Sequence, residues 1–319
     1  MRKAAKLGGP GIILLLATAG CSADDGKSGS SPSDGGAANG GAASGGASDG
    51  GPVSGNIEYL ALGDSIAYGE NIFVPDTKEA RPNGDAFVGY PDLIGPEAFE
   101  GHYANLGCPG VTTASYLSLD GVDNGCRAFQ EKMGYTLHVP YTGTQADKAR
   151  EILRNNPIKL VTISLGGNDL LHALNECSDL TPDDSGAALQ CAIAALPQLL
   201  TDGAANLTEV VKQIREDYDG ELVYVNLYSN YPSTEPATFA INGWNGKMAP
   251  VFEDADAEIA DAFAAFQAEA EAADGDPCAA GLLVPNPNEG ESPACDVHPS
   301  EKGARLLADT IEAVPGFAP

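Results

Sequence analysis

From Asn56 onwards, short apolar segments alternate with segments of helical periodicity, and this alternation restricts the fold more than any other feature. Three apolar runs have the length and composition of buried strands: residues 57–62, 159–165 and 222–227. Four segments have helical patterns: residues 146–155, 203–217, 251–273 and 300–313. Strands that alternate with helices form a parallel sheet with helices on both faces. The sequence therefore predicts an α/β fold, whose ligands bind beyond the carboxyl ends of the strands.

The residues before this alternation have the composition of a leader and a linker. A basic start, MRKAAK, precedes a short apolar run, as in a secretory signal peptide, and that run is too short to span a bilayer. Small residues directly before Cys21 resemble a bacterial lipobox, so we expect residues 1–20 to be removed and Cys21 to be lipidated. Residues 21–55 then form a Gly-, Ser-, Ala- and Asp-rich tether that we expect to be disordered. An ordinary signal peptide with an incidental cysteine is the alternative.

This organisation and the charge of the chain limit its partners. We expect an exported lipoprotein on the periplasmic or extracellular side, attached to a membrane through its N-terminal anchor only. The net charge of −28 repels phosphate backbones, so nucleic-acid binding is not expected. No part of the sequence indicates a subunit interface, and we expect a monomer.

The cysteines indicate disulfide bonds. Six remain once Cys21 is set aside, and an even number in an exported chain is typical of disulfides. Pairing each cysteine with its sequence neighbour predicts three bonds: Cys108–Cys126, Cys177–Cys191 and Cys278–Cys295. No Cys-x-x-Cys spacing occurs, so no metal site is expected.

Two clusters of small and polar residues lie early in the predicted domain. The first is the turn Gly63-Asp64-Ser65 after the first strand, where a serine hydroxyl points to the open edge of the sheet. The backbone N–H of Ser65 then lies at a helix start, where negative charge is favoured. The second cluster, residues 105–113, contains Gly110, and a glycine in a tight loop lets its N–H face a ligand.

Two further clusters carry an amide and an imidazole. Residues 166–169 end a strand and include Asn168, whose side chain can donate a hydrogen bond to an oxyanion. Residues 295–300 precede the last helix and place His298 close to the carboxylate of Asp296. Surface or packing roles are expected for the other three histidines: His102, His138 and His172.

In this order the four clusters resemble the motif blocks of the SGNH, or GDSL, hydrolase family, and the resemblance runs from Ile57 to about Ala313. It implies a three-layer α/β/α sandwich with a flavodoxin-like parallel sheet over residues 56–319. It implies that Ser65 is the nucleophile and His298 the general base. It also implies an oxyanion hole formed by the backbone N–H groups of Ser65 and Gly110 and the side chain of Asn168.

The group that orients His298 is left open by the sequence. The family usually has an aspartate three residues before the histidine, and that position holds Cys295 here, whereas Asp296 is only two residues before. Either the carboxylate of Asp296 or the backbone carbonyl of Cys295 could orient the ring. A bond between Cys278 and Cys295 would help to fix that carbonyl.

The resemblance implies a lipase or esterase that cleaves carboxylic esters, such as a lipid or an acylated small molecule or glycan, without a metal or organic cofactor. A carbohydrate O-deacetylase from the same family is one alternative. The other is a non-catalytic surface lipoprotein that binds a partner or a glycan. Four apolar residues after the nucleophile either line an acyl pocket or belong to the core: Ile66, Ile72, Phe73 and Val74.

Overall fold

The computed structural model describes most of the chain beyond the predicted tether. It covers residues 56–71, 87–128, 136–182, 184–233, 235–287 and 294–319. The predicted signal peptide, Cys21 and the tether lie outside these ranges, as do Ile72, Phe73 and Val74. Among the described residues, no helix combines the length and the apolar character that a bilayer crossing requires.

A five-stranded parallel sheet forms the centre of the fold. Its strands are β1 (Tyr59–Gly63), β2 (Tyr103–Asn105), β3 (Leu160–Ser164), β4 (Glu221–Val225) and β5 (Glu258–Ala260). They are ordered β2-β1-β3-β4-β5, which is the flavodoxin-like order. A separate antiparallel ribbon consists of β6 (Leu283–Pro285) and β7 (Cys295–Pro299). The predicted α/β fold is confirmed.

Helices cover both faces of this sheet. They are α1 (Ser65–Tyr68), α2 (Pro91–Ala98), α3 (Thr113–Leu117), α4 (Cys126–Ala128), α5 (Gln145–Asn155), α6 (Gly167–Leu180), α7 (Ser185–Asp217), α8 (Pro236–Glu253), α9 (Ala262–Ala270) and α10 (Glu301–Glu312). One core cluster joins α5, α7 and α8 to the sheet, and a second joins α2, α9 and α10 to it. The two clusters make the three layers that the family resemblance implies.

The predicted strands and most of the predicted helices are found with small shifts of their ends. The three predicted strands correspond to β1, β3 and β4, and the predicted helices at 146–155 and 300–313 correspond to α5 and α10. Residues 203–217 form only the second half of α7, whose first half the sequence did not indicate. Ser300 caps α10 as expected, since its hydroxyl accepts a hydrogen bond from the N–H of Gly303 at 3.2 Å.

The prediction of one long helix over residues 251–273 is wrong. The chain leaves α8 after Glu253, turns through Asp256 with a φ of 52°, and forms strand β5 before α9 begins. Asp261 caps α9 by accepting a hydrogen bond from the N–H of Ala264 at 3.0 Å. Alanine favours a helix, but aspartate side chains bind nearby backbone groups and favour turns and caps. The aspartates therefore divide this alanine-rich segment.

All three predicted disulfide bonds are present. The Cα atoms are 5.5 Å apart in Cys108–Cys126, 5.6 Å in Cys177–Cys191 and 5.8 Å in Cys278–Cys295. The first bond closes the loop that contains Gly110, the second ties α6 to α7, and the third holds the start of β7. Each bond therefore restrains a segment that borders the site described below.

The carboxyl end of β1 is held by Gln145, the first residue of α5. The Gln145 side chain accepts a hydrogen bond from the N–H of Gly63 at 2.8 Å and donates one to the carbonyl of Gly63 at 2.9 Å. Both residues are buried. This double contact fixes the backbone two residues before Ser65.

We expect Gln145→Ala to lower the free energy of unfolding by about 1–3 kcal/mol, because the buried N–H of Gly63 loses its acceptor. Urea denaturation measures this change. Gln198→Ala is the matched control, since the Gln198 side chain bonds Asp202 at the surface. The control should change stability by no more than about 0.5 kcal/mol. Equal effects of the two substitutions would contradict the role given to Gln145.

Candidate active site

Ser65 is the first residue of α1 and lies two residues after the carboxyl end of β1. Asp64 caps this helix, since its carboxylate accepts a hydrogen bond from the N–H of Ile66 at 3.0 Å. Gly63 has a φ of 146°, and a Cβ there would lie 2.4 Å from the hydroxyl of Ser164, so the turn requires glycine. Within the described residues, the Ser65 hydroxyl forms no hydrogen bond. It is therefore free to meet a ligand.

His298 lies inside strand β7 of the small ribbon, and not in a loop after a strand of the main sheet. Its Nδ1 donates a hydrogen bond to Oδ2 of Asp296 at 2.7 Å, and both side chains are buried. Oδ1 of Asp296 accepts a second bond from the N–H of Val297 at 2.6 Å. Residues two apart in a strand point to the same side, so the two-residue spacing suits this contact. Of the two groups left open by the sequence, the carboxylate of Asp296 contacts the ring.

The second ring nitrogen contacts a residue that the sequence did not indicate. Nε2 of His298 lies 3.2 Å from Oε2 of Glu70. The backbone N–H of Glu70 donates a hydrogen bond to the carbonyl of Ser65 at 3.0 Å. Glu70 therefore contacts both the turn that carries Ser65 and the ring of His298. A glutamate five residues after a serine belongs to no motif, so sequence patterns gave no signal for it.

The carboxylates of Glu70 and Asp296 control the charge of His298. Burial disfavours the imidazolium, but the charges and hydrogen bonds of Glu70 and Asp296 outweigh it and raise the pKa of His298 to about 10. Burial also raises the pKa of Asp64 to about 7, although the bond from Ile66 and the charge of His298 lower it. While Glu70 stays in this contact, His298 is protonated at neutral pH.

Gly110 and Asn168 follow strands β2 and β3, with Gly110 in a loop and Asn168 at the start of α6. Gly110 has a φ of 84°, and Asn168 is a buried residue in the first turn of α6. In the described part of the chain, the backbone N–H groups of Ser65 and Gly110 donate no hydrogen bond. Asp169, the next residue along, accepts bonds from the N–H and hydroxyl of Thr113 at 2.9 and 2.6 Å. The Thr113–Asp169 contact joins the loop of Gly110 to the start of α6.

An apolar cavity of about 210 Å³ begins beside Ser65. Asp64, Ser65 and Asn168 are among its polar lining residues. Helices α6, α7 and α8 form its apolar walls, which include Leu170, Leu174, Leu189, Leu196, Leu199 and Ile241. Ile66 lines this cavity and also packs against the core.

The other histidines lie away from this arrangement. His138 packs on Tyr68, with Nε2 3.0 Å from the Tyr68 carbonyl and 3.8 Å from a carboxylate oxygen of Asp92. His172 lies on α6, where its Nδ1 is 3.7 Å from the carboxylate of Glu176. His102 is exposed. These positions agree with surface and packing roles.

Comparison with known proteins identifies the family. The model of the GDSL-like lipase/acylhydrolase family matches residues 61–306, which is more than half of the chain. The chain belongs to this family. It is therefore an esterase-type hydrolase. A search of curated proteins found no match.

Solved structures of similar proteins include an esterase, a lipase and a lipolytic protein. An acetylxylan esterase from Geobacillus stearothermophilus has a TM-score of 0.48 and 15% identity, over 84% of this chain and 97% of that one. A lipase from a goat rumen metagenome has a TM-score of 0.47 and 18% identity, over 82% and 98%. A G-D-S-L family lipolytic protein from Veillonella parvula has a TM-score of 0.43 and 14% identity, over 81% and 97%. Identities this low do not bear on the substrate.

We expect Glu70→Gln to lower the pKa of His298 by about 1–3 pH units, because the ring loses an adjacent negative charge. NMR titration of the histidine rings measures this pKa. Glu176→Gln is the control, since Glu176 faces His172 and should leave His298 unchanged. The folded-state pKa lies above the ordinary value of 6.5, so the Glu70 contact stabilises the fold fully below pH 6.5 and loses this effect as the pH rises towards 10. An unchanged pKa in Glu70→Gln would contradict this account.

Proposed function

We propose that this hydrolase cleaves carboxylic esters with Ser65 as nucleophile, His298 as general base and Asp296 as the group that orients the base. The observation that carries this proposal is the buried Asp296–His298 pair, which Glu70 connects to the turn of Ser65. A free hydroxyl, an imidazole and an orienting carboxylate are the parts that serine ester hydrolysis needs.

The proposed reaction has two stages. Oγ of Ser65 attacks the ester carbonyl carbon, and its proton passes to Nε2 of His298. The carbon–oxygen bond to the alcohol then breaks, and His298 returns the proton to the departing alcohol. A water molecule attacks the acyl group on Ser65 in the same way and releases the carboxylic acid. The oxyanion of each stage is held by the N–H groups of Ser65 and Gly110 and by the amide of Asn168.

Glu70 adds one requirement to this reaction. Nε2 of His298 can accept a proton only when it is unprotonated and turned to Ser65. The contact with Glu70 favours the protonated ring. Entry of the substrate must therefore separate Glu70 from Nε2 before the first stage begins.

The apolar cavity supports an ester with a longer acyl chain over a carbohydrate O-deacetylase. An acetyl group would leave most of the walls in α6, α7 and α8 without a partner. Each methylene of a longer chain that enters the cavity gains about 0.8 kcal/mol. The alternative of a surface lipoprotein that only binds a glycan gives no reason for the buried Asp296–His298 pair.

We propose that this activity acts outside the cytoplasm. The three disulfide bonds support an oxidising compartment. The signal sequence and Cys21 support a lipid anchor, with residues 21–55 as the tether between membrane and domain.

We expect Ser65→Ala and His298→Ala each to lower kcat for p-nitrophenyl butyrate by about 10⁴-fold or more, because nucleophile and base act as a unit. Asp296→Asn should cost about 10²–10⁴-fold, because the ring loses its orienting carboxylate. Circular dichroism confirms folding. Ser118→Ala and His172→Ala are matched controls away from the site. Full activity in folded Ser65→Ala would refute the proposed function.

The acyl-chain proposal is tested with p-nitrophenyl esters from acetate to palmitate. Wild type should have a higher kcat/KM for octanoate than for acetate. Leu174→Trp fills the cavity and should lower kcat/KM for octanoate by about 10-fold or more, while acetate changes little. Leu180→Trp is the control, since Leu180 lies on the same helix with 76% of its surface exposed. A preference for acetylated sugars that Leu174→Trp leaves unchanged would favour the deacetylase.

A further inference from the structure

Asn124 connects two of the three segments that carry the proposed oxyanion donors, namely the loop of Gly110 and the first turn of α6, which carries Asn168. Its backbone N–H donates a hydrogen bond to the carbonyl of Gly110 at 2.9 Å. Its side-chain Nδ2 donates another to Oδ1 of Asn168, also at 2.9 Å. The loop of Gly110 follows β2, and the helix of Asn168 follows β3, so one residue contacts the segments that follow two strands.

The Asn124 segment is itself held close to Gly110. The bond Cys108–Cys126 ties the chain on both sides of the contact. A Cβ at Gly110 would lie 2.6 Å from the carbonyl oxygen of Asn124, so only glycine lets the two segments approach this closely. The close approach of Asn124 is therefore a second reason for a glycine at position 110, besides the backbone N–H that Gly110 presents to a ligand.

The bond to Asn168 sets the direction of that amide. A side-chain amide has one accepting oxygen and one donating nitrogen. Because Oδ1 of Asn168 accepts from Asn124, Nδ2 is left on the other side, and in the described residues it donates to no protein group. Asn168 lines the cavity together with Ser65. The donating end of the amide is the end available to an oxyanion on the substrate.

We propose that Asn124 is a positioning residue of the oxyanion hole, which orients the amide of Asn168 and fixes the loop of Gly110. This inference rests on the proposed function and extends it to a residue outside the family motifs. Asn124 acts through Asn168 and Gly110, and its effect should therefore appear in the transition state and not in substrate binding.

Aspartate at position 124 tests the direction of the amide. An ionised carboxylate can only accept hydrogen bonds. In Asn124→Asp it would attract the NH₂ group of Asn168 and turn Oδ1 towards the oxyanion, which it would repel. Asn124→Ala removes the bond without reversing the amide. The aspartate variant should therefore be the more damaging of the two, although it is closer in shape to asparagine.

The experiment compares kcat and KM for p-nitrophenyl butyrate, Tm, and inhibition by butylboronic acid, whose adduct with a serine is tetrahedral. Asn124→Asp should lower kcat by about 10²-fold, the loss typical of one oxyanion donor, with KM within about twofold of wild type. Asn124→Ala should lower kcat by a smaller factor. Inhibition by the boronic acid should weaken in parallel with kcat. Asn155→Asp, at an exposed asparagine of α5, is the control and should match wild type.

Wild-type kcat in folded Asn124→Asp, or a loss confined to KM, would overturn the inference. A larger loss in Asn124→Ala than in Asn124→Asp would overturn the proposed amide direction. If Asn124→Asp does not fold, Asn124→Ala with the boronic acid carries the test, and unweakened inhibition refutes the inference. Ser65→Ala distinguishes failure of the proposed function from failure of the inference about Asn124. If Ser65→Ala stays active, the proposed function fails. If Ser65→Ala is inactive while Asn124→Asp keeps wild-type activity, only the inference fails.

Discussion

Parallel pairing of β1 with β3 is the interaction on which the site depends. It aligns Gly63 with Ser164, and the N–H of Asp64 then donates to the carbonyl of Ser164 at 3.1 Å just beyond the pair. Both strands therefore end at the same level, and the segments that follow them begin side by side. Because a parallel sheet gathers carboxyl ends at one edge, residues about a hundred positions apart in sequence share one cavity.

The sequence allowed prediction of the parts of the site that follow the main strands. Ser65 and Asn168 lie in the first helical turns that follow buried strands, and strand composition and turn residues are local signals. The position of His298 was predicted from its motif, but its strand was not, since a short ribbon strand with a proline has little apolar pattern. The contact between Asp296 and the His298 ring could be assigned only once strand β7 was known, because residues two apart in a strand point to the same side.

Other features depend on contacts between distant residues and could not be read from the sequence. Glu70 and Asn124 carry ordinary polar side chains in loops, and nothing in their neighbours indicates what they touch. The helix predicted over the alanine-rich segment is wrong because aspartates that favour turns and caps, together with the pairing of β5 with β4, outweigh the helix propensity of alanine. The first half of α7, which Cys177–Cys191 ties to α6, was not predicted because Pro197 inside the helix is a residue that ordinarily ends or kinks one.

The proposed catalytic residues and the walls of the apolar cavity lie on different parts of the fold. The proposed catalytic residues Ser65 and His298 lie at the edge of the sheet and on the ribbon, whereas the apolar cavity walls lie on α6, α7 and α8, of which α6 and α7 are joined by Cys177–Cys191. Substitutions on the faces of α6 and α7 that line the cavity would change its shape without changing the positions of the Ser65 hydroxyl and the His298 imidazole. Substrate preference in this architecture can therefore diverge between relatives while the reaction stays the same.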